Sequence, residues 1–228
     1  MQNAFDFEQG DDIAFIRSQL KTANAENNRG QRPDVMDQLI GSLISSLTHD
    51  DISLAVFRKL KRLYPHWHLV AKADEATIYH AISEVRHPEP KATHLLATVK
   101  SIGINHPDYD LRFLKDWSVG QAHAYLEAFD GVGPKVAASA LNCALDMKTF
   151  VADTHGLRVL SRYGFIGKQD AWHACERVVS SVPHWSGADF WDFMIALKTL
   201  GREICRPKDW HCGACPLSSR CWMRARLS

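Results

Sequence analysis

Four of the chain's six cysteines, Cys205, Cys212, Cys215 and Cys221, fall in one short run near its end, "CRPKDWHCGACPLSSRC". Thiols spaced C-x6-C-x2-C-x5-C can share one inorganic centre only if the loop closes on itself. The run therefore predicts a tight, ligand-held loop. Four thiolates suit either Zn²⁺ or an iron–sulfur cluster. Structural zinc sites usually pair two short C-x2-C knuckles, whereas this run has one such knuckle and two wider gaps. Generic spacing leaves both centres open. A disulfide framework ranks third, because nothing at the N-terminus points to an oxidising compartment. "MQNAFDFEQGDD" is acidic and lacks a basic segment followed by an apolar run. No stretch approaches the roughly 18 uninterrupted apolar residues of a membrane span. The expectation is a cytoplasmic protein without membrane attachment. Cys143 and Cys175 sit in helical patterns and read as buried apolar residues.

A chain of 228 residues with 46% hydrophobic and 23% charged residues can bury a core of its own. Its net charge of +1 is close to neutral, but the distribution is uneven. From Arg202 onward six basic residues face two acids, so the cysteine-bearing tail is basic and the remainder slightly acidic. A basic segment on a neutral body fits an anionic partner, or a plain solvated surface.

Apolar spacing is helical nearly throughout. Asp34 is placed to cap a helix whose stripe is Val35, Met36, Leu39, Ile40, Leu43, Ile44 and Leu47. Asp50 is expected to cap the next, to about residue 64, and Asp74 another, to about 85. A further helix is predicted over 91–102, ending at Gly103. Ser118 with Gln121 has the form of a capping box, opening a helix to about 129. "KVAASALNCALD" continues the pattern, followed by helices over about 154–163, 169–181 and 188–204. Nothing pairs as strands, and the fold class is all-α.

"FDGVGPK" joins two of these helices. Gly131 and Gly133 permit backbone angles and close approaches that other residues resist. Pro134 suits the first turn of the next helix. The unpaired N–H groups at that helix start suit a phosphate. Lys135 follows at once, where the positive end of the helix and any desolvation disfavour its protonated form; it reads either as a candidate amine nucleophile or as a phosphate-binding or solvated lysine. Asp153, in "FVADTHGLRVL", is placed to cap the following helix, and taken by itself it reads as a cap.

Taken together, "LEAFDGVGPKVAASALNCALDMKTFVADTHGLRVL" and the four cysteines resemble the endonuclease III branch of the helix-hairpin-helix DNA glycosylases. The resemblance runs from about Leu126 to Cys221 and is thinner over 34–102. It implies that Lys135 attacks C1′ of a damaged nucleotide and that Asp153 assists. It also implies that Gly131, Val132 and Gly133 grip the DNA backbone. The cysteine spacing is that of the family's four-iron four-sulfur loop, with zinc the alternative, and the loop presents Arg206 and Lys208 to DNA. Trp210 could pack over the cluster. The family fills the gap left by a flipped base from two turns. Here those turns read "SSLTHD" and "RHPEPKA", which put Leu47, His49 and His87 at or near the wedge positions.

The resemblance predicts two helical lobes, 34–147 and 1–33 plus 148–228, with the substrate cleft between them. The expected activity is a bifunctional DNA glycosylase and abasic-site lyase of base excision repair, acting as a monomer on damaged, oxidised pyrimidines in duplex DNA, in a bacterium at the nucleoid. The alternatives are a glycosylase for uracil or for a mismatched or alkylated base, and a lesion-binding protein with little catalysis.

Overall fold

The computed structural model describes residues 9–20, 32–167 and 171–226; their regular structure is helical, with no strand among them. The helices are α1 (Gln9–Leu20), α2 (Val35–Ser45), α3 (Asp50–Leu63), α4 (Trp67–Lys72), α5 (Glu75–Ile82) and α6 (Pro88–Asn105). They continue with α7 (Val119–Glu127), α8 (Pro134–Leu145), α9 (Thr154–Tyr163), α10 (Ala171–Ser181), α11 (Gly187–Glu203) and α12 (Trp222–Ala225). None among the described residues is long and apolar enough to cross a membrane.

By backbone contacts the chain divides into two compact units. One contains α2 to α8 and ends at Met147; the other combines α1 with everything from Lys148 onward. In the first, α2 buries Val35, Met36, Leu39, Ile40, Leu43 and Ile44 on one face, the stripe read from the sequence. Asp34 caps it through Oδ1, accepting from the amides of Met36 and Asp37. Leu60, Ile78, Leu95, Val99, Leu126 and Leu141 complete the same core. Each buried aliphatic side chain of this kind contributes roughly 1.5–3 kcal/mol of transfer free energy.

Leu47 is not part of that stripe. It lies past the end of α2 and is 69% exposed, at φ 55°. Other boundaries also differ. His49 rather than Asp50 occupies the cap position of α3, which puts two acids, Asp50 and Asp51, in its first turn. Helix α6 starts at Pro88, immediately after a left-handed His87, and runs through Gly103. Gly103 is not a stop signal: a Cβ there would lie 2.4 Å from the Tyr109 hydroxyl, so glycine serves ring packing. The predicted start of α10 at residue 169 lies outside the described residues. Helix α4 was not expected from sequence. It is anchored by buried Trp67, whose indole donates to Asp37 Oδ1 at 3.0 Å under the Lys61 ammonium.

In the second unit, Ile13, Ile16, Phe150, Phe190, Phe193 and Leu197 are buried. Ser186 and Asp189 form a capping box at α11, and Arg17 of α1 pairs with Asp189. Burial works against ionisation of Asp189, but the Ser186 hydrogen bonds and Arg17 outweigh it and hold the carboxyl at about 2. A depressed carboxyl adds stability that is present above its unfolded value near 3.8 and lost as pH falls toward 2. Asp189→Asn is expected to remove ~2 kcal/mol at neutral pH and to flatten the acid limb of a pH–stability curve.

Candidate active site and nucleic-acid interface

The hairpin lies between α7 and α8. Helix α7 starts at the predicted capping box, Ser118 with Gln121, and ends at Ala128. The chain then turns through two short bonds, Phe129 N to Leu126 O at 3.2 Å and Val132 N to Phe129 O at 3.0 Å. Val132 is buried and pins the turn to the core. Gly131 adopts φ 79°, and a Cβ there would fall 2.5 Å from the His94 ring. Glycine is therefore demanded twice, by backbone and by space. Thr98 also holds the turn, donating to Asp130 O at 3.3 Å. Gly133 differs. It is the N-cap of α8 at φ −92°, and a Cβ would meet nothing within 4 Å. The protein itself does not require glycine there, and the open space lies beside a helix N-terminus of the kind that suits an anion.

This contrast gives a prediction. Gly131→Ala is expected to lower stability by ~1–3 kcal/mol, the usual cost of a strained backbone position. Gly133→Ala exchanges one N-cap residue for a poorer one and should lower stability by less, under about 1 kcal/mol, while weakening binding to any DNA duplex. Thermal melts and salt-dependent binding isotherms check both.

Pro134 takes the first position of α8, and Lys135, exposed, the second. Lys91 lies near enough to feel Lys135. Burial first, and the positive charge of Lys135 second, draw the Lys91 ammonium down to about 8. The turns carrying Leu47, His49 and His87 belong to this same unit, and all three side chains are exposed. Leu47 and His87 both adopt φ 55°.

Asp153 and the cysteines belong to the other unit. Asp153 is 6% exposed and caps α9, its Oδ1 accepting from Gly156 N at 2.7 Å. The cap is therefore a buried carboxylate at a helix N-terminus. The neighbouring His155 is pushed down by burial, although the Asp153 charge acts in the opposite sense.

The cysteine loop is held by two arginines of α9 that sequence reading did not single out. Arg158 donates to Cys205 O at 2.9 Å and to Gly201 O at 2.7 Å. Arg162 donates to Arg206 O at 2.6 Å, Pro207 O at 3.1 Å and Cys205 Sγ at 3.5 Å. Their i,i+4 spacing in "RVLSR" was the available signal. Cys221 Sγ donates to Arg162 O at 3.3 Å, and Leu217 is buried beneath the loop. Trp210 stacks under the Arg162 guanidinium at 4.8 Å. All four thiols are half-buried and unbridged. Burial raises the Cys215 thiol, a backbone hydrogen bond at Leu217 works against this, and the proximity of Cys205, Cys221 and Cys212 raises it further. Such mutual repulsion is what a cationic centre would relieve, and soft sulfur donors fit iron–sulfur or zinc. No group of three or more His, Cys, Asp or Glu side chains among the described residues is itself in a metal-holding arrangement. Arg206 and Lys208 are exposed, with Arg206 Nε turned back to Glu203 O at 3.1 Å.

Residues 40–183 match the family model of the HhH-GPD superfamily base excision DNA repair proteins. The chain is 25% identical over 196 residues to an endonuclease III of Sulfolobus acidocaldarius, covering 84% of this chain and 83% of that protein. It is 29% identical over 180 residues to an adenine DNA glycosylase of Mycobacterium tuberculosis, covering 75% of this chain and 54% of that one. In fold it matches the structure of a trapped endonuclease III–DNA covalent intermediate at a TM-score of 0.79 and 17% identity, over 96% of this chain and 98% of that one.

Proposed function

The chain belongs to the endonuclease III-like branch of the HhH-GPD superfamily of base excision DNA repair glycosylases, and from that premise we propose that it is a bifunctional glycosylase and abasic-site lyase for damaged pyrimidines in duplex DNA. One observation carries the lyase half. An amine, Lys135, stands at the second position of α8, directly after the open hairpin glycine.

The chemistry follows from the two residues. As the base departs with the glycosidic electron pair, positive charge builds on C1′ and the ring oxygen. The Asp153 carboxylate stabilises that charge and helps take a proton from the attacking amine. Lys135 Nζ bonds to C1′, the sugar ring opens, and a Schiff base forms with loss of the ring C–O bond. The imine acidifies the C2′ proton. Its removal expels the 3′ phosphate by β-elimination, and water then hydrolyses the imine to release Lys135. Both steps need a nucleotide outside the stack. Gly131, Val132 and Gly133 would hold the backbone without reading sequence. Leu47, His49 and His87 would fill the vacated space, and Arg206 and Lys208 would add phosphate contacts.

Cys205, Cys212, Cys215 and Cys221 would hold a four-iron four-sulfur cluster, which when bound fixes the loop's shape. The expected result is a yellow-brown protein whose visible absorption disappears in Cys212→Ala. A colourless protein containing zinc would assign the same four thiols to zinc.

The test is a set of duplexes bearing thymine glycol, dihydrouracil, uracil or a mismatch, scored for base release and for strand cleavage without alkali. Release of the oxidised pyrimidines with cleavage is the expected outcome. Release of uracil or a mismatched base alone would reassign the substrate. Salt-sensitive binding with no release would leave a lesion-binding protein.

A further inference from the structure

The turns carrying Leu47 and His87 are distant in sequence, yet one buried cation ties them together. Lys91 is only 6% exposed. Its Nζ donates to Ile44 O at 2.8 Å, Ser46 O at 2.6 Å and Thr48 Oγ1 at 3.0 Å. Ile44 and Ser46 lie at the C-terminal end of α2, where carbonyls lack intrahelical partners and the helix dipole is negative. The Thr48 hydroxyl does more than accept from Lys91. It also accepts from Arg86 N at 3.1 Å and donates to Ser46 O at 3.3 Å. An ammonium has three donors, and a hydroxyl has one donor and two acceptors. Every one of these is used, and the two turns are joined at a single saturated network.

Directly beside the network stand two residues in the left-handed region, Leu47 next to Thr48 and His87 next to Arg86. That conformation is uncommon for any side chain but glycine, and least expected for leucine. It persists only where surrounding bonds over-determine it. Both side chains project into solvent rather than into the core.

We infer that Lys91 is a positioning residue: its buried ammonium fixes the two turns so that Leu47 and His87 enter the DNA stack together, without itself touching DNA. This rests on the glycosylase reading above. Lys91 is not a spare nucleophile, because its three donors are already committed. Burial and the nearby Lys135 charge oppose its protonation, which makes the hydrogen-bond network the reason the charge is kept.

Lys91→Met keeps the aliphatic stem and removes the charge, and Lys91→Arg keeps a cation. Three readouts separate the roles. A fluorescent purine analogue beside the lesion reports unstacking. Single-turnover base release from duplex reports flipping plus chemistry. Borohydride trapping on a single-stranded abasic site reports Lys135 chemistry where there is no stack to open. Lys91→Met is expected to lose the fluorescence rise and to slow duplex base release on the order of 10²-fold, as a displaced positioning group does. Single-strand trapping should be unchanged in Lys91→Met, Lys91→Arg should recover part of both duplex signals, and Leu47→Ala should lose both duplex signals as Lys91→Met does. Unchanged fluorescence and release in Lys91→Met would overturn the inference, and so would an equal loss of single-strand trapping, the mark of a merely structural lysine. Wild-type protein that neither releases bases nor traps would instead defeat the glycosylase reading, before any variant is compared.

Discussion

Lys135→Ala is expected to remove strand cleavage at lesions altogether while leaving duplex binding intact. Lys135 is exposed at the start of α8 and contributes nothing to the core, so the substitution should not move the thermal midpoint. Alanine is also a better helix former than lysine. What disappears is the amine proposed to bond to C1′. Removing a covalent nucleophile costs on the order of 10⁴–10⁶ in rate, and the residue left over is catalysis by binding and electrostatics alone. Lys91 cannot stand in, because its ammonium donates to three acceptors at 2.6–3.0 Å. Some base release without cleavage fits the proposal, in which Asp153 stabilises charge on the sugar. Cleavage at wild-type rate in Lys135→Ala would mean that another group is the nucleophile.

The second large effect belongs to Asp153→Asn. Asparagine caps helices about as well as aspartate, so the bond to Gly156 N and the start of α9 should survive. The negative charge does not survive. Loss of one electrostatic stabiliser of a developing charge typically costs about 10²–10³ in rate. Base release should fall by that order with the thermal midpoint nearly unmoved. Asp153→Ala should differ in kind, losing the cap as well, at ~1 kcal/mol. If Asn and Ala variants lost stability equally and kept full activity, Asp153 would be a cap and nothing more.

Much of this was legible in the residues because the signals are local. Asp34, Asp74, Ser118 with Gln121, and Asp153 each reach an amide two or three positions ahead, and all four cap as read. The stripe on α2 needs only helical spacing. The failures have another cause. His49 rather than Asp50 holds the cap position of α3, two residues after the left-handed Leu47, and α6 begins at Pro88, directly after the left-handed His87. Gly103 looked like punctuation but was small for the sake of Tyr109. The Arg158 and Arg162 cradle and the Lys91 network join residues over forty positions apart, and no periodicity marks such partners. The candidate site residues were nameable where a few consecutive residues carry the motif. Their supports were not, because they are assembled only in three dimensions.

The most direct test of the central claim is borohydride trapping on a duplex with one oxidised pyrimidine, followed by peptide mapping of the adduct. The account predicts a covalent protein–DNA species whose modified peptide contains Lys135, absent when borohydride is omitted. Base release with no trapped species, or an adduct mapped to a different residue, would contradict it.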